Sequence, residues 1–226
     1  MLTILNSSIG RKITMALTGL FLVVFLFEHL YGNLLLYKSD GGLAFAEYSY
    51  ELVHNLLIRI VEVVLFAAIF IHVLQAINLT RQNAAARPVK YAVNKSSETS
   101  NWFSRNMGLT GSLIFFFLVI HMFNFFVPYR ISDVVGHEGQ ESIAFHVKEA
   151  FENPIYASLY LVATVLLGFH LNHGFQSALQ TLGLNNKKYE DLLKKTATGI
   201  ALLFTVGFGS FPVLFFFQLV GQSIVK

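Results

Sequence analysis

Five of the chain's eight histidines, His29, His72, His121, His170 and His173, fall inside long apolar runs. An ionisable side chain is costly inside a bilayer, so each is a candidate for function. For any single one, the alternative is a neutral imidazole bridging two helices by a hydrogen bond. Four separate runs each carrying a histidine make a pattern that this alternative does not explain. The chain has no cysteine, which excludes disulfides, thiolate-held iron–sulfur clusters and a thiolate haem ligand. A redox centre built by this chain must therefore hang on histidine.

The elements that position these histidines follow from composition. With 226 residues, 54 % hydrophobic and 13 % charged, and a mean hydropathy of +0.58, there is too little polar surface for a soluble globule of this size. Five runs, residues 13–37, 55–79, 104–127, 155–180 and 198–221, are long enough to cross an apolar core of about 30 Å, which takes roughly 20 helical residues. Only Glu28 and Glu62 place a carboxylate within them. Run length and the lack of ten-residue alternation point to helices rather than barrel strands. The first run follows Arg11-Lys12 without a small-residue cleavage site, so it reads as a retained helix.

Charge sets the expected topology. Arg11 and Lys12, then Arg81, Arg87, Lys90, Lys95 and Arg105, then Lys187, Lys188, Lys194 and Lys195 mark the N-terminus and the second and fourth connections as cytoplasmic. The first connection has Asp40, Glu47 and Glu51, and the third has Asp133, Glu138, Glu141, Glu149 and Glu152; both belong outside. The expectation is a multi-pass protein of the cell's inner, cytoplasmic membrane with its N-terminus in the cytoplasm. Trp102 suits an interfacial anchor. The net charge of +3 and pI near 9.1 are explained by topology and lipid headgroups, with no nucleic-acid partner.

A faint repeat links spans one and three. Leu17-Thr18-Gly19 precedes His29, and Leu109-Thr110-Gly111 precedes His121, the glycine-to-histidine spacing being ten in both. At about 1.5 Å of rise per residue, His29 and His121 both come late in outward-running spans, toward the outer side. His72 and His170 come past the midpoints of inward-running spans, toward the inner side. Depth thus pairs His29 with His121, and His72 with His170 or His173. Two stacked bis-histidine sites in a four-helix core suit two b-type haems. Zinc would want four ligands at one depth, and a proton relay in a haem-free transporter has no reason to place histidines at two matched depths. The expected fold is an all-α membrane protein: five transmembrane helices in one domain over residues 1–226, a four-helix haem-binding bundle plus a fifth, peripheral helix.

These residues resemble the single-chain, dihaem cytochrome b subunit that anchors succinate:quinone oxidoreductases, the succinate dehydrogenases and fumarate reductases. The resemblance covers almost the whole chain. It rests on the five spans, Thr18-Gly19 ahead of His29, one histidine in each of spans one to four, and His170-x-x-x-Gly174 with Gly183 thirteen residues after His170. It implies that His29 and His121 hold the outer haem b and that His72 and His170 hold the inner one. It also implies a flavoprotein subunit with FAD and an iron–sulfur subunit docked on the basic cytoplasmic face. The substrate quinone, expected to be menaquinone, would lie near the outer haem. Electrons from succinate oxidation on the partners would pass to quinone, and the reverse flow would reduce fumarate.

Other residues fit around this frame. His54, Glu47, Glu51 and Arg59 cluster where span two begins and are candidates for the quinone site, with Arg59 and Glu62 also placed to pair at i, i+3. Lys12, Thr14, Thr18, Arg105 and Thr110 at the inner end, and Arg130 at the outer, are candidates for haem propionates; His173 is a candidate for a propionate or a neighbouring helix. Glu28 points about 100° away from His29 and reads as a satisfied outer acid. Some members of that family carry a buried acid two residues before the fourth-span ligand, where this chain has Gly168, so the resemblance does not carry a proton route through that helix over to this chain. Span five lacks histidine and ends in Phe215-Phe216-Phe217, suited to lipid or a second copy. The alternatives are a dihaem cytochrome b of a hydrogenase or formate dehydrogenase, and the haem-free transporter.

Overall fold

A computed structural model describes residues 7–85, 105–130 and 143–224. Arg87, Lys90, Lys95, Glu98 and Trp102 in the second connection, and Asp133, Glu138 and Glu141 in the third, lie outside the described residues. Every regular element among the described residues is helical: α1 (Ser8–Leu34), α2 (Leu43–His54), α3 (Leu56–Ala85), α4 (Met107–His121), α5 (Ile143–Glu152), α6 (Pro154–Thr181) and α7 (Glu190–Phe216). A short 3-10 turn extends α1 to Tyr37, and a wide π turn, Met122–Phe126, carries α4 on to Arg130. The extended α1 and α4 together with α3, α6 and α7 are five helices long and apolar enough to cross a membrane. This is an all-α membrane protein.

Local chemistry fixes where the helices begin and end. The Ser7 hydroxyl accepts from Gly10 N at 3.0 Å and starts α1. The Asn153 side chain accepts from Ile155 N at 2.9 Å and, with Pro154 in the first turn, starts α6. The stop of α6 is a Schellman motif: Leu184 N bonds Leu179 O at 2.9 Å and Gly183 N bonds Gln180 O at 3.1 Å, with Gly183 at φ +75°. Gly183 therefore ends a helix. Helix α7 begins at Glu190, two turns before the apolar run, because Lys194–Glu190 and Lys195–Asp191, both 2.7 Å, carry the helix through polar sequence.

Helix α1 is flanked by α3 and α6, α4 leans on α6, and α3 and α4 touch only thinly, so these four close an incomplete ring. Helix α7 lies outside the ring, seated chiefly on α6. That seat is tight: a Cβ added at Gly168 would overlap Thr205 Oγ1, so α7 fills the space beside that glycine. The phenylalanine triplet at the end of α7 divides: Phe215 is 1 % exposed and belongs to the core, whereas Phe217, just past the helix, is 65 % exposed. Helices α2 and α5, at the end of the bundle where α1 finishes, are additions to the expected five. On α5, Ala144, Val147 and Phe151 form the buried stripe of a short amphipathic helix.

Candidate functional site

At the end where α1 finishes, called outer here, His29 and the last residue of α4, His121, meet. Their ring centroids are 5.7 Å apart with planes at 85°. Aromatic rings wall both: Phe25 at 5.3 Å and Phe208 at 5.6 Å from His29, Phe117 at 5.9 Å and Phe125 at 5.5 Å from His121. The Asn33 amide donates to the His29 main-chain carbonyl at 2.7 Å. The Tyr160 hydroxyl, from α6, is 3.3 Å from His121 Nδ1, so His121 keeps Nε2 for another partner.

One helical stretch inward, the repeat acquires a physical meaning. A Cβ added at Gly19 would stand 3.3 Å from His72 Cε1, and one at Gly111 would stand 3.4 Å from His170 Cε1. Each Leu-Thr-Gly segment is thus the floor on which the histidine of the following span sits. Thr18 Oγ1 lies 3.2 Å from His72 Nδ1, and the Met15 carbonyl also reaches that ring. Thr110, 1 % exposed, instead turns its hydroxyl to its own helix, to Met107 O at 3.2 Å. His72 and His170 lie within electrostatic range of each other, as do His170 and His173. His170 Nδ1 is buried without a hydrogen-bond partner, and so are Gln75 Oε1, one turn past His72, and Arg11 Nε, two turns before Thr18.

Whether these residues fit haem can be judged from three observations. Two imidazole nitrogens sharing one metal ion at about 2 Å each bring their ring centres roughly 6 Å apart, close to the His29–His121 separation. Among the described residues no three His, Cys, Asp or Glu side chains gather as a metal site, so the histidines meet in pairs; a pair is the ligand set that a haem b takes from a protein. At the inner level three buried polar atoms stand without a protein partner, the glycine floors lie close under His72 and His170, and an added Cβ at Gly174 would meet nothing within 4 Å. The residues fit the group.

The remaining candidates sort by exposure. Lys12 is exposed, whereas its neighbour Arg11 is half-buried with Nε buried; Arg11 is a further cation at that end, beyond the candidates named above. Arg105 is exposed and Arg130 half-buried. His173 is half-buried and stands clear of the Gly111 floor that seats His170. His54, Glu47 and Glu51 spread over an exposed face of α2 instead of closing round one cavity. His54 stacks on Tyr50 at 3.9 Å with Nδ1 2.8 Å from the Tyr50 carbonyl, and Arg59 is held by Glu62. Glu28 accepts from the Tyr48 hydroxyl at 2.8 Å; burial first, and this carboxylate second, push the Tyr48 phenol pKa up, keeping it a donor.

Tyr160, Asn124 and His146 were not foreseen. Tyr160 had a signal: it precedes His170 by ten residues, about 15 Å along the helix, which puts it at the outer level. Compared with known proteins, the chain matches no family model, no curated protein and no solved structure.

Proposed function

We propose that this chain is the membrane-anchor cytochrome b subunit of a succinate dehydrogenase or fumarate reductase, carrying two b haems between a soluble iron–sulfur partner and membrane quinone. The observation that supports it best is the pairing of four histidines from four spans at two depths, the inner two resting on glycines of an internal repeat. His29 and His121 would hold one haem, and His72 and His170 the other. Haem, when bound, supplies reversible one-electron transfer.

The chain's own residues do the rest. With His121 Nδ1–H donating to the Tyr160 hydroxyl, Nε2 would be left to hold the metal; Thr18 and the Met15 carbonyl would act in the same way on His72. Phe25, Phe117, Phe125 and Phe208 exclude water from the outer pair. Arg11, with Nε unpartnered, is placed to meet a propionate at the inner level. With no cysteine in the chain, iron–sulfur clusters and FAD belong to partner subunits on the basic face, which in this reading is cytoplasmic and includes Lys187 and Lys188. Quinone, in this reading menaquinone, would take protons at the outer end.

Purification of the complex from native membranes tests this. The expected result is co-purification with a flavoprotein carrying covalently bound flavin and with succinate-dependent quinone reduction. A partner without such flavin contradicts the family assignment.

A further inference from the structure

The π turn directly after His121 has a cause in the sequence. Pro128 lacks an N–H, so the carbonyl four residues earlier, that of Asn124, loses its helical partner, and the proline ring crowds the same carbonyl. The helix answers by widening over Met122–Phe126, with Val127 N bonding Met122 O. A buried carbonyl left unpaired is costly. Here His146, reaching across from α5, supplies the missing donor: His146 Nε2 is 2.8 Å from Asn124 O. A carbonyl oxygen only accepts, so Nε2 carries the proton.

The same turn governs the outer pair. Phe125, inside the turn, packs edge to face on both His146 (5.8 Å) and His121 (5.5 Å). Asn124 brings its side chain beside the Tyr160 hydroxyl with Nδ2 left buried and unbonded, and Tyr160 in turn meets His121 Nδ1. Moving the Asn124 carbonyl would therefore move Phe125 and Tyr160 against the imidazole.

We infer that His146, outside the membrane-spanning helices, is a positioning residue for His121: it stands in for the amide that Pro128 lacks and so holds the turn that aims the outer ligand. This rests on the reading of His29 and His121 as haem ligands. A ligand imidazole whose second nitrogen donates to a neighbour is more basic and favours the oxidised metal. Loosening the turn weakens that contact and raises the potential of the outer couple alone.

The test is potentiometric titration of the full-length chain, as wild type, His146→Phe, His146→Gln and His146→Phe combined with Pro128→Ala. Phenylalanine keeps the packing on Phe125 and removes the donor. The expected result is two haems, with the outer couple shifted toward reduction by about tenfold, or 59 mV for one electron, and the inner couple unmoved. His146→Gln, which keeps a donor, restores the wild-type value, and so does Pro128→Ala, which returns the backbone N–H. An outer couple unmoved by His146→Phe, or both couples moved equally, overturns the inference. If His146→Phe sheds the outer haem, its return with Pro128→Ala supports the inference and its continued absence overturns it. A wild-type chain without haem would instead overturn the functional reading itself.

Discussion

The two histidine levels are built differently. At the outer level His29 and His121 are in ring contact, and Tyr160, Asn33 and His146 meet most of the groups around them, with Asn124 Nδ2 the buried side-chain atom left unbonded there among the described residues. At the inner level the chain shapes a floor and leaves polar atoms waiting, with His170 Nδ1, Gln75 Oε1 and Arg11 Nε buried and unpartnered. An unmet polar group costs about 1–3 kcal/mol when buried, so the inner level gains more from whatever fills it. On the proposed reading, the outer site is the more pre-organised of the two and the inner one gains more from a bound haem.

Removing a ligand breaks the comparison hardest. His170→Ala or His72→Ala should lower the haem content of the purified chain from two to one by abolishing the inner site, and His29→Ala or His121→Ala should abolish the outer one. Retention of both haems by His29→Ala would show the pairing to be wrong. A smaller lesion reaches only the inner floor. Gly111→Val adds a branched side chain where even a Cβ stands 3.4 Å from His170 Cε1, and should weaken inner haem retention by roughly 10–100-fold, the range for displaced ligand supports. The outer absorbance band should remain, and loss of both haems together would argue against two separately built sites.

Tyr160→Phe keeps the ring packed on Phe117 and Phe151 but deletes the hydroxyl at His121. Both haems should stay, with the outer midpoint potential raised and the inner one constant; an unchanged outer potential would leave Tyr160 as packing alone. The smallest effect is expected from His173→Ala. Both haems and both potentials should persist, and loss of the inner haem would transfer the ligand role from His170 to His173.

How much of this was legible in the sequence depends on what kind of force decides each feature. Span number and histidine depth follow from hydropathy and a fixed rise per residue, and both can be counted from residues such as His29 and His121 without neighbours. The Leu-Thr-Gly repeat was visible, but its use was not: that Gly19 underlies His72, and Gly111 underlies His170, is a relation between spans. Helix ends were misplaced at Ser8 and Glu190 because hydropathy marks hydrocarbon, whereas caps and i, i+4 ion pairs set the termini. Gly183 showed as a family signal and proved to be the left-handed residue that stops α6. Helix α5 was read only as an acidic connection, although Ala144, Val147 and Phe151 carry a helical stripe, and with it the role of His146 went unseen. Pro128 alone announces an unpaired Asn124 carbonyl, but only packing reveals which side chain answers it.

The most direct test of the account is the haem-to-chain ratio of the purified wild-type complex, read with its dithionite-reduced minus oxidised spectrum. The account predicts two b-type haems per chain with a corresponding alpha band. A ratio of zero, with no alpha band after dithionite, would contradict it, and a ratio of one would contradict the two-level assignment of the four histidines.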